Sequence, residues 1–247
     1  MITVSSAEPS VSAFEFKHRD IIIRLTYFMA IAFYFFDSRM LATREARWLG
    51  SHFAVLSLSE WLRAVLFAAA VLTGLGALVR TWGTSYLRGE VMRDKRLHTE
   101  RLLTDGPFGY SRNPIYFGNF LMALGIGAML SLSGFIFLLV ATVAFLIRLS
   151  VREETVLAWT FGPAFEAYRA RVPGLIPALT PQIPAGDSRQ DWSGAFQAEL
   201  LVWIIVCAEL VYSIALNRYL LWTMIACAFL PGLLRRLWTP KPQASAH

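Results

Sequence analysis

Long apolar runs separated by short polar segments dominate the chain. They lie at about 21–36, 61–79, 113–147, 200–216 and 219–234, and the third of them is long enough for two helices. A helix needs about 20 mostly apolar residues to cross a hydrocarbon core of about 30 Å. The pattern therefore predicts an all-α, polytopic integral membrane protein with about six transmembrane helices.

The third apolar run has to break somewhere. No charged residue occurs from 113 to 147, and at 1.5 Å per residue a continuous helix would be about 50 Å long, too long for one span. The stretch "SLSG" at 131–134 suits a tight turn, which predicts a helical hairpin. Apolar and polar residues then alternate at helical spacing over 155–172, which predicts a cytoplasmic interfacial helix.

Composition agrees with a membrane protein and excludes other classes. Hydrophobic residues make up 56% of the chain and charged residues 16%, whereas soluble domains have about a quarter charged residues. The excess of basic residues lies beside the apolar runs, where lipid headgroups and orientation explain it, so we expect no nucleic-acid binding. The two cysteines lie in apolar runs and the four histidines show no ligand spacing, so we expect no metal site.

The distribution of lysine and arginine predicts an orientation. The largest group of these residues follows the second apolar run, between 80 and 112, and the positive-inside bias places that segment in the cytoplasm. Counting spans from there puts both termini and the region 148–197 on the same side. We therefore expect a bacterial inner membrane or ER-like membrane, with any active site facing the cytoplasm.

Two polar clusters flank the predicted hairpin. In "GPFGYSRNPIYFGN" (106–119), an Asn-Pro step opens an apolar run; Asn is a favoured N-cap and Pro fits the first helical position, so a plain helix start explains it as well as an anion site does. In "RLSVREETVLAW" (148–159), two adjacent glutamates, Glu153 and Glu154, follow two arginines. Neighbouring residues on a helix point about 100° apart, so we expect one carboxylate to face a pocket and the other to face water.

These clusters, with "YRARVP" at 168–173, contain R-[HN]-P-x-Y-x-G, E-E-x-x-L-x-x-x-F-G and Y-x-x-R-V-P in register. Over about 97–177 the chain resembles the isoprenylcysteine carboxyl methyltransferase family of integral membrane methyltransferases, which shares its general pattern with phospholipid N-methyltransferases. The resemblance implies an enzyme that uses S-adenosylmethionine in a cytoplasm-facing pocket.

The resemblance also implies cofactor-binding positions. These are Glu100, Arg101, Leu102, Leu103, Phe108, Asn113, Pro114, Ile115, Tyr116 and Glu153. Apolar side chains there suit the adenine ring, and the polar ones suit the ribose and the methionine part. The chain departs from the family where Asn113 replaces a common His, Phe108 replaces a Tyr, and Leu149 stands where an Arg is expected.

The acceptor is expected to be a lipid-borne or prenylated small substrate, with membrane lipids as surroundings and no obligate protein partner. A carboxylate acceptor needs a cation to orient it, which Arg148, Arg152 or Arg171 offers, whereas an amine acceptor has to lose a proton and favours Glu154. The arginine excess favours the carboxylate over a lipid-amine N-methyltransferase. The sequence is also compatible with a nicotinamide-dependent sterol or polyprenol reductase, with phosphate contacts at Arg93, Lys95 and Arg96, and with a non-enzymatic scaffold.

The chain divides into four predicted units. Residues 1–96 hold two transmembrane helices and a basic connector, 97–177 the methyltransferase core, 178–198 a proline-containing linker, and 199–247 a C-terminal transmembrane hairpin. Glu209 lies inside the fourth apolar run, which is the fifth predicted transmembrane helix. Since a carboxylate is costly in lipid, we expect it to face protein or water, with Arg218 or an inward polar group as a partner.

Overall fold

Helices form the regular structure of the part of the chain that the structure describes. This computed structural model covers residues 18–97, 102–184, 186–221 and 223–227, without the side chains of Asp20 and of 90–97. The helices are α1 (Arg19–Ala32), α2 (Leu41–His52), α3 (Leu58–Leu97), α4 (Pro114–Gly127), α5 (Leu132–Phe161), α6 (Pro163–Arg169), α7 (Trp192–Ala198) and α8 (Leu200–Ala215). Short 3₁₀ turns at Phe33–Phe35 and Gly106–Gly109, and helical residues at 218–221 and 223–227, complete this part. The predicted all-α class is confirmed.

Among the described residues, two helices are long and apolar enough to cross a membrane. They are the Leu58–Gly89 part of α3 and the whole of α5, and α7 with α8 makes a third span if this pair, bent by 66°, is counted as one. The apolar helix α4 is about 21 Å long, shorter than the hydrocarbon core. The protein is therefore an integral membrane protein, and the count of six transmembrane helices stays a prediction.

Helix α3 is the centre of the bundle. It packs against α2, α4, α7 and α8, and one of its close approaches to α4 is at two glycines. A Cβ atom on Gly76 would lie 2.6 Å from the carbonyl oxygen of Gly118, so only glycine allows this contact, as is common between membrane helices. The helix continues to Leu97, well past the predicted end at 79, because Arg80 and Arg88 on this extension pair with residues near α7.

The hairpin between α4 and α5 turns slightly earlier than predicted. Its turn occupies 128–131, and Ser131 is the N-cap of α5, with its hydroxyl oxygen accepting a hydrogen bond from the Gly134 N–H at 3.2 Å. The predicted turn at 131–134 therefore already contains the first turn of α5. A serine followed by apolar residues is a helix start as well as a turn signal, and here the cap geometry decides.

Helix α2 was not predicted from the sequence. Its first N–H groups, which have no partner within the helix, donate to the hairpin turn: Leu41 to the Leu130 carbonyl at 2.7 Å and Ala42 to the Ala128 carbonyl at 2.8 Å. Ala42 and Ala46, one turn apart, are buried. A twelve-residue helix with two small buried residues gives only a weak apolar pattern, and for that reason the sequence did not predict it.

The predicted interfacial helix over 155–172 was wrong in its bounds. Residues 155–161 are the last turns of α5, and the chain then breaks at Gly162, whose φ is +51°. Glycine adopts this conformation without strain, and Pro163 fits the first position of the short helix α6. This break turns the chain so that Phe165, Tyr168 and Val172 form a buried cluster.

Candidate active site

The two adjacent glutamates of α5 lie on different sides of the helix, and each contacts other protein groups. The Oε1 atom of Glu153 accepts hydrogen bonds from the Tyr116 hydroxyl at 2.6 Å and from Arg19 at 3.1 Å. Glu154 accepts two from Arg112, from Nε and from Nη2, each at 3.0 Å. The Glu153 side chain is 31% exposed and that of Glu154 is 13% exposed, so both carboxylates are held by protein groups and Glu153 is the more accessible to water.

Arg112 joins three segments of the chain. Besides its fork on Glu154, its Nη1 donates to the carbonyl oxygens of Arg169 at 3.1 Å and Val172 at 2.6 Å. The Arg169 guanidinium also lies 3.7 Å from Oε2 of Glu154. Two guanidinium groups thus contact one carboxylate, and Arg169 also lies 3.8 Å from the exposed carboxylate of Glu166, so the charges of this group balance.

Asn113 does not cap α4, although it lies directly before the first helical residue. Its side chain makes no capping hydrogen bond; instead, Nδ2 donates to Oε1 of Glu154 at 3.2 Å and to the Gly174 carbonyl at 3.1 Å. These two acceptors draw the amide away from the helix start. The residue therefore links α4, α5 and the segment after α6, which local sequence rules do not reveal.

Backbone hydrogen bonds hold the segment after α6 against the residues before α4. The N–H groups of Arg112 and Asn113 donate to the carbonyls of Pro173 at 2.8 Å and Gly174 at 3.0 Å. The Ser111 hydroxyl adds a bond to the Gly174 carbonyl at 2.9 Å. The R-[HN]-P and R-V-P motifs are therefore neighbours in space, which explains why both occur in register.

The predicted linker is attached to the same framework. The buried Asp105 carboxylate accepts hydrogen bonds from the N–H groups of Gly186 at 2.7 Å and Ser188 at 3.1 Å. Gln182 donates its N–H to the Gly109 carbonyl at 2.9 Å. Prolines in this segment predict an irregular connection. Its path beside the site is fixed by the hydrogen bonds that its N–H groups donate to Asp105 and Gly109.

Tyr168 connects α6 to the 3₁₀ turn at Gly106–Gly109. Its hydroxyl donates to the Phe108 carbonyl at 2.8 Å, and burial raises the pKa of the phenol above its usual value, so it keeps its proton as a donor. Leu102 packs against the cluster that contains Tyr168. Of the side chains predicted to contact adenine, Leu102 and Leu103 are half-buried, and Phe108 is buried.

The arginine that contacts Glu154 through a fork is Arg112, which the sequence did not single out. Of the predicted acceptor-orienting arginines, Arg148 and Arg171 are exposed and Arg152 is half-buried. Arg112 is part of the R-[HN]-P motif, and that membership was the available signal. Two further predicted site residues, Glu100 and Arg101, lie outside the described residues.

A cleft of about 210 Å³ opens beside the Arg112–Glu154 pair. It is lined by Arg112, Ile147, Ser150, Val151, Glu154, Gly174 and Leu175. Ile147 and Val151 are about half exposed on the outer side of α5. The cleft therefore has a charged floor and an apolar, outward-facing wall, and its volume is below the roughly 300–1,000 Å³ of common ligand pockets.

Glu209 is 2% exposed and faces the helix bundle, as predicted. Neither of its oxygens has a hydrogen-bond partner within the described part of the chain. The expected pairing with Arg218 is absent there, because the Arg218 guanidinium lies over the Tyr219 ring, 5.3 Å from its centre. Arg80 and Glu199 form a buried ion pair in addition to Arg112 and Glu154, and the sequence did not predict it.

The central part of the chain is similar to a known protein family. The sequence model of the phospholipid methyltransferase family matches residues 64–164. This range includes Arg112, Asn113, Tyr116 and both glutamates of α5. No solved structure matches the chain with significance.

Three curated proteins are similar to parts of the chain. The nickel-cobalt-cadmium resistance protein NccN of Alcaligenes xylosoxydans is 29% identical over 165 residues, which is 66% of this chain and 74% of that protein. Protein-S-isoprenylcysteine O-methyltransferase of Schizosaccharomyces pombe is 37% identical over 91 residues, 36% of this chain and 38% of that protein. The cobalt-zinc-cadmium resistance protein CzcN of Cupriavidus metallidurans is 30% identical over 122 residues, 49% of this chain and 53% of that protein.

The chain thus spans about half or less of the length of the latter two relatives. The family match contains the R-[HN]-P and E-E motifs, whereas α1, α2, α7 and α8 lie outside it. Residues 64–164 of the chain thus match the phospholipid methyltransferase family.

Proposed function

We propose that the protein is an S-adenosylmethionine-dependent membrane methyltransferase that methylates a carboxylate on a lipid-borne acceptor. The observation that carries the proposal is the convergence of family-motif residues from two helices. Tyr116 of α4 contacts Glu153 of α5 at 2.6 Å, and Asn113 contacts Glu154 at 3.2 Å. The match to the phospholipid methyltransferase family supports the reaction type, and this convergence supports the location of the site.

The residues near Glu153 fit the polar part of the cofactor. The hydrogen bonds from Tyr116 and Arg19 both go to Oε1 of this carboxylate, and the side chain is partly exposed. The second oxygen of such a carboxylate suits the ribose hydroxyls or the α-ammonium group of S-adenosylmethionine, which supplies an already activated methyl group. Tyr116 and Arg19 would fix the carboxylate, and the half-buried Leu102 and Leu103 would contact the adenine ring.

The arginines at the site favour a carboxylate acceptor. A carboxylate is ionised at neutral pH and needs a cation to orient it, not a base. Arg112 and Arg169 both lie beside Glu154 and supply such a cation. The protein would then act mainly by positioning the acceptor and by excluding water.

The family description favours phospholipid or lipid-amine N-methylation as the second candidate. An amine acceptor requires a group that takes its proton. Glu154 already accepts the Arg112 fork and the Asn113 amide, which makes it a poor base. This engagement ranks the amine below the carboxylate.

Two other functions are less well supported. The side chains proposed for nicotinamide phosphate contacts, Arg93, Lys95 and Arg96, lie outside the described side chains, and the family match speaks for methyl transfer. The resistance named for NccN and CzcN suggests metals, but the described residues hold no group of three or more His, Cys, Asp or Glu side chains suited to a metal ion.

The orientation is part of the proposal. With both termini in the cytoplasm and six spans, Glu153 and the basic extension of α3 would face the cytoplasmic pool of cofactor. Reporter fusions after residue 90 and after residue 185 are expected to report a cytoplasmic position. An external position for either fusion would contradict this orientation.

The test combines binding and transfer. Purified protein in nanodiscs is expected to bind S-adenosylmethionine at equilibrium and to bind no nicotinamide dinucleotide. With methyl-labelled cofactor and a membrane extract, the label should enter a lipid-soluble product and be released as methanol by mild base, since esters hydrolyse and methylated amines do not. Base-stable label would support the amine, and no cofactor binding would exclude both.

A further inference from the structure

We infer that the cleft beside α5 is the site for the acceptor's carboxylate head, and that Arg112 and Gly174 are its binding and specificity residues. This inference rests on the proposed function and names the site that the acceptor uses. It replaces Arg148, Arg152 and Arg171, which the sequence suggested for the same task.

Arg112 retains one donor for a ligand. A guanidinium has five N–H groups. Nε and one N–H of Nη2 bind Glu154, and the two of Nη1 reach the carbonyls of Arg169 and Val172. The second N–H of Nη2 makes no hydrogen bond to any residue in the described part, and Arg112 lines the cleft. The arrangement is thus a rigidly held cation with one donor left over.

Gly174 keeps that donor accessible. A Cβ atom at this position would lie 3.3 Å from Nη2 of Arg112 and 3.9 Å from Oε1 of Glu154. The backbone there has no positive φ, so glycine is not required for conformation. Its effect is to leave space over the guanidinium, and a larger side chain would fill that space.

The remaining donor favours an anion. Arg112 and Glu154 are the charged residues that line the cleft, and their charges balance. A carboxylate entering beside Arg112 gains a charge-assisted hydrogen bond from the second N–H of Nη2, whereas an ammonium group, which can only donate, gains no bond from it.

The cleft accommodates a head and leaves the tail in lipid. Its volume of about 210 Å³ suits a small polar group. Ile147 and Val151 form its outward wall, and Ile176, just beyond Leu175, is 74% exposed. An apolar chain leaving along this wall stays in the bilayer, since each methylene moved into water costs about 0.8 kcal/mol.

The first experiment measures binding without turnover. Full-length protein in zwitterionic nanodiscs is titrated with N-acetyl-S-farnesylcysteine and with its carboxamide, which lacks the charge. Wild type should bind the acid at least tenfold more tightly than the amide. Gly174→Val should remove most of this preference, and Gly50→Val, in α2, is the matched control because a Cβ there meets only the Trp61 ring at 3.6 Å. Equal binding of acid and amide by wild type, or binding of neither, overturns the inference.

The second experiment separates the inference from the proposed function. With labelled S-adenosylmethionine, Gly174→Val should raise the KM for the farnesylated acid at least tenfold and change cofactor affinity less than twofold. Arg112→Lys, which keeps the charge and loses the fork, should give a smaller rise. Failure of wild type to bind the cofactor rejects the proposed function, whereas an unchanged KM in folded Gly174→Val rejects only the cleft assignment. A parallel loss of cofactor affinity also rejects it, because the cleft would then belong to the cofactor.

An anionic phospholipid is the competing source of negative charge. Replacing a fifth of the nanodisc lipid with phosphatidylglycerol should leave the affinity for the farnesylated acid within about twofold of the zwitterionic value. Competition by phosphatidylglycerol as strong as that by the acid itself would make the cleft a phospholipid headgroup site and would overturn the assignment.

Discussion

In the described part of the protein, two arginine–glutamate pairs have nearly the same forked geometry and different surroundings. Arg80 donates from Nε and Nη2 to the two carboxylate oxygens of Glu199, each at 2.9 Å. Arg112 does the same to Glu154 at 3.0 Å. Each pair joins distant parts of the chain, so the forks alone do not tell which pair has a function beyond folding.

The remaining partners make the difference. Glu199 also accepts from the Thr84 hydroxyl at 3.0 Å, and Arg80 donates to the Asn119 side chain. The pair lies where α7 meets α8, and it fixes this bend to α3. Arg80 makes three hydrogen bonds, so it also leaves N–H groups over, but neither Arg80 nor Glu199 lines the cleft beside Glu154. We therefore assign this pair a structural role.

The Arg112 pair, in contrast, lines a cleft with an apolar outer wall and an extra guanidinium beside it. Its arginine keeps a donor that the protein does not use, next to a glycine that leaves space. The comparison teaches that a buried ion pair becomes a candidate binding site when its hydrogen bonds are incomplete on the side of a cavity.

The largest effect is expected for Glu199→Ala. The Glu199 side chain is 6% exposed, so its removal leaves the Arg80 guanidinium buried without a counter-charge, which costs about 3–5 kcal/mol. Denaturant or thermal unfolding in detergent measures the loss. Cofactor affinity of the folded fraction should stay near wild type. A loss below about 1 kcal/mol would show that Arg80 readily finds water or another partner.

Glu154→Gln is expected to cost less, about 2 kcal/mol, because hydrogen bonds to a charged group contribute about 1.5–3 kcal/mol and the amide oxygen keeps part of the fork. The same unfolding measurement applies. Glu199→Gln is the matched control, and it should likewise cost less than Glu199→Ala. If Glu154→Gln also abolished cofactor binding, the assignment of Glu153 to the cofactor and of Glu154 to the Arg112 pair would be wrong.

Local signals in the sequence predicted the helices well and their ends less well. The apolar runs located α1, α3, α5 and α8, but the end of α3 lies 18 residues beyond the predicted 79, at Leu97. The extension is stabilised by Arg80 and Arg88, whose partners lie more than a hundred residues away in the chain. Helix ends that depend on such partners cannot be read from a local pattern.

The same limit applied to the site. The motif pattern pointed to Asn113, Tyr116 and the two glutamates, and the structure brings these residues together. The motif pattern could not show that Arg112 would bind Glu154, or that Arg19 would bind Glu153, 134 positions away in the chain. Residue type and spacing suggest which groups are polar and near a helix end, whereas the choice of partner is decided by tertiary packing.

Glu153→Ala and Tyr116→Ala are each expected to weaken S-adenosylmethionine binding at least tenfold, which is about 1.4 kcal/mol. Glu153 loses the carboxylate proposed to bind the cofactor, and Tyr116 loses the hydroxyl that orients this carboxylate. Equilibrium binding to purified, folded variants measures this. Gly50→Val again serves as a control. Unchanged cofactor affinity in both variants would mean that Glu153 and Tyr116 have only a structural role.

The smallest effect is expected for Arg88→Ala. This arginine lies 3.4 Å from Asp191, near the same α7 bend as the Arg80 pair, but its side chain is 48% exposed. Solvent screens such a pair and the free side chain regains rotational freedom, so we expect a loss of at most about 0.5 kcal/mol, smaller still in high salt. Unfolding measured at low and at high salt gives the answer, and Glu199→Ala measured in parallel provides the scale. If Arg88→Ala cost as much stability as Glu199→Ala, burial would not decide how much an ion pair of this protein stabilises the fold. The Arg80–Glu199 pair could then not serve as the structural pair with which the Arg112–Glu154 pair is compared.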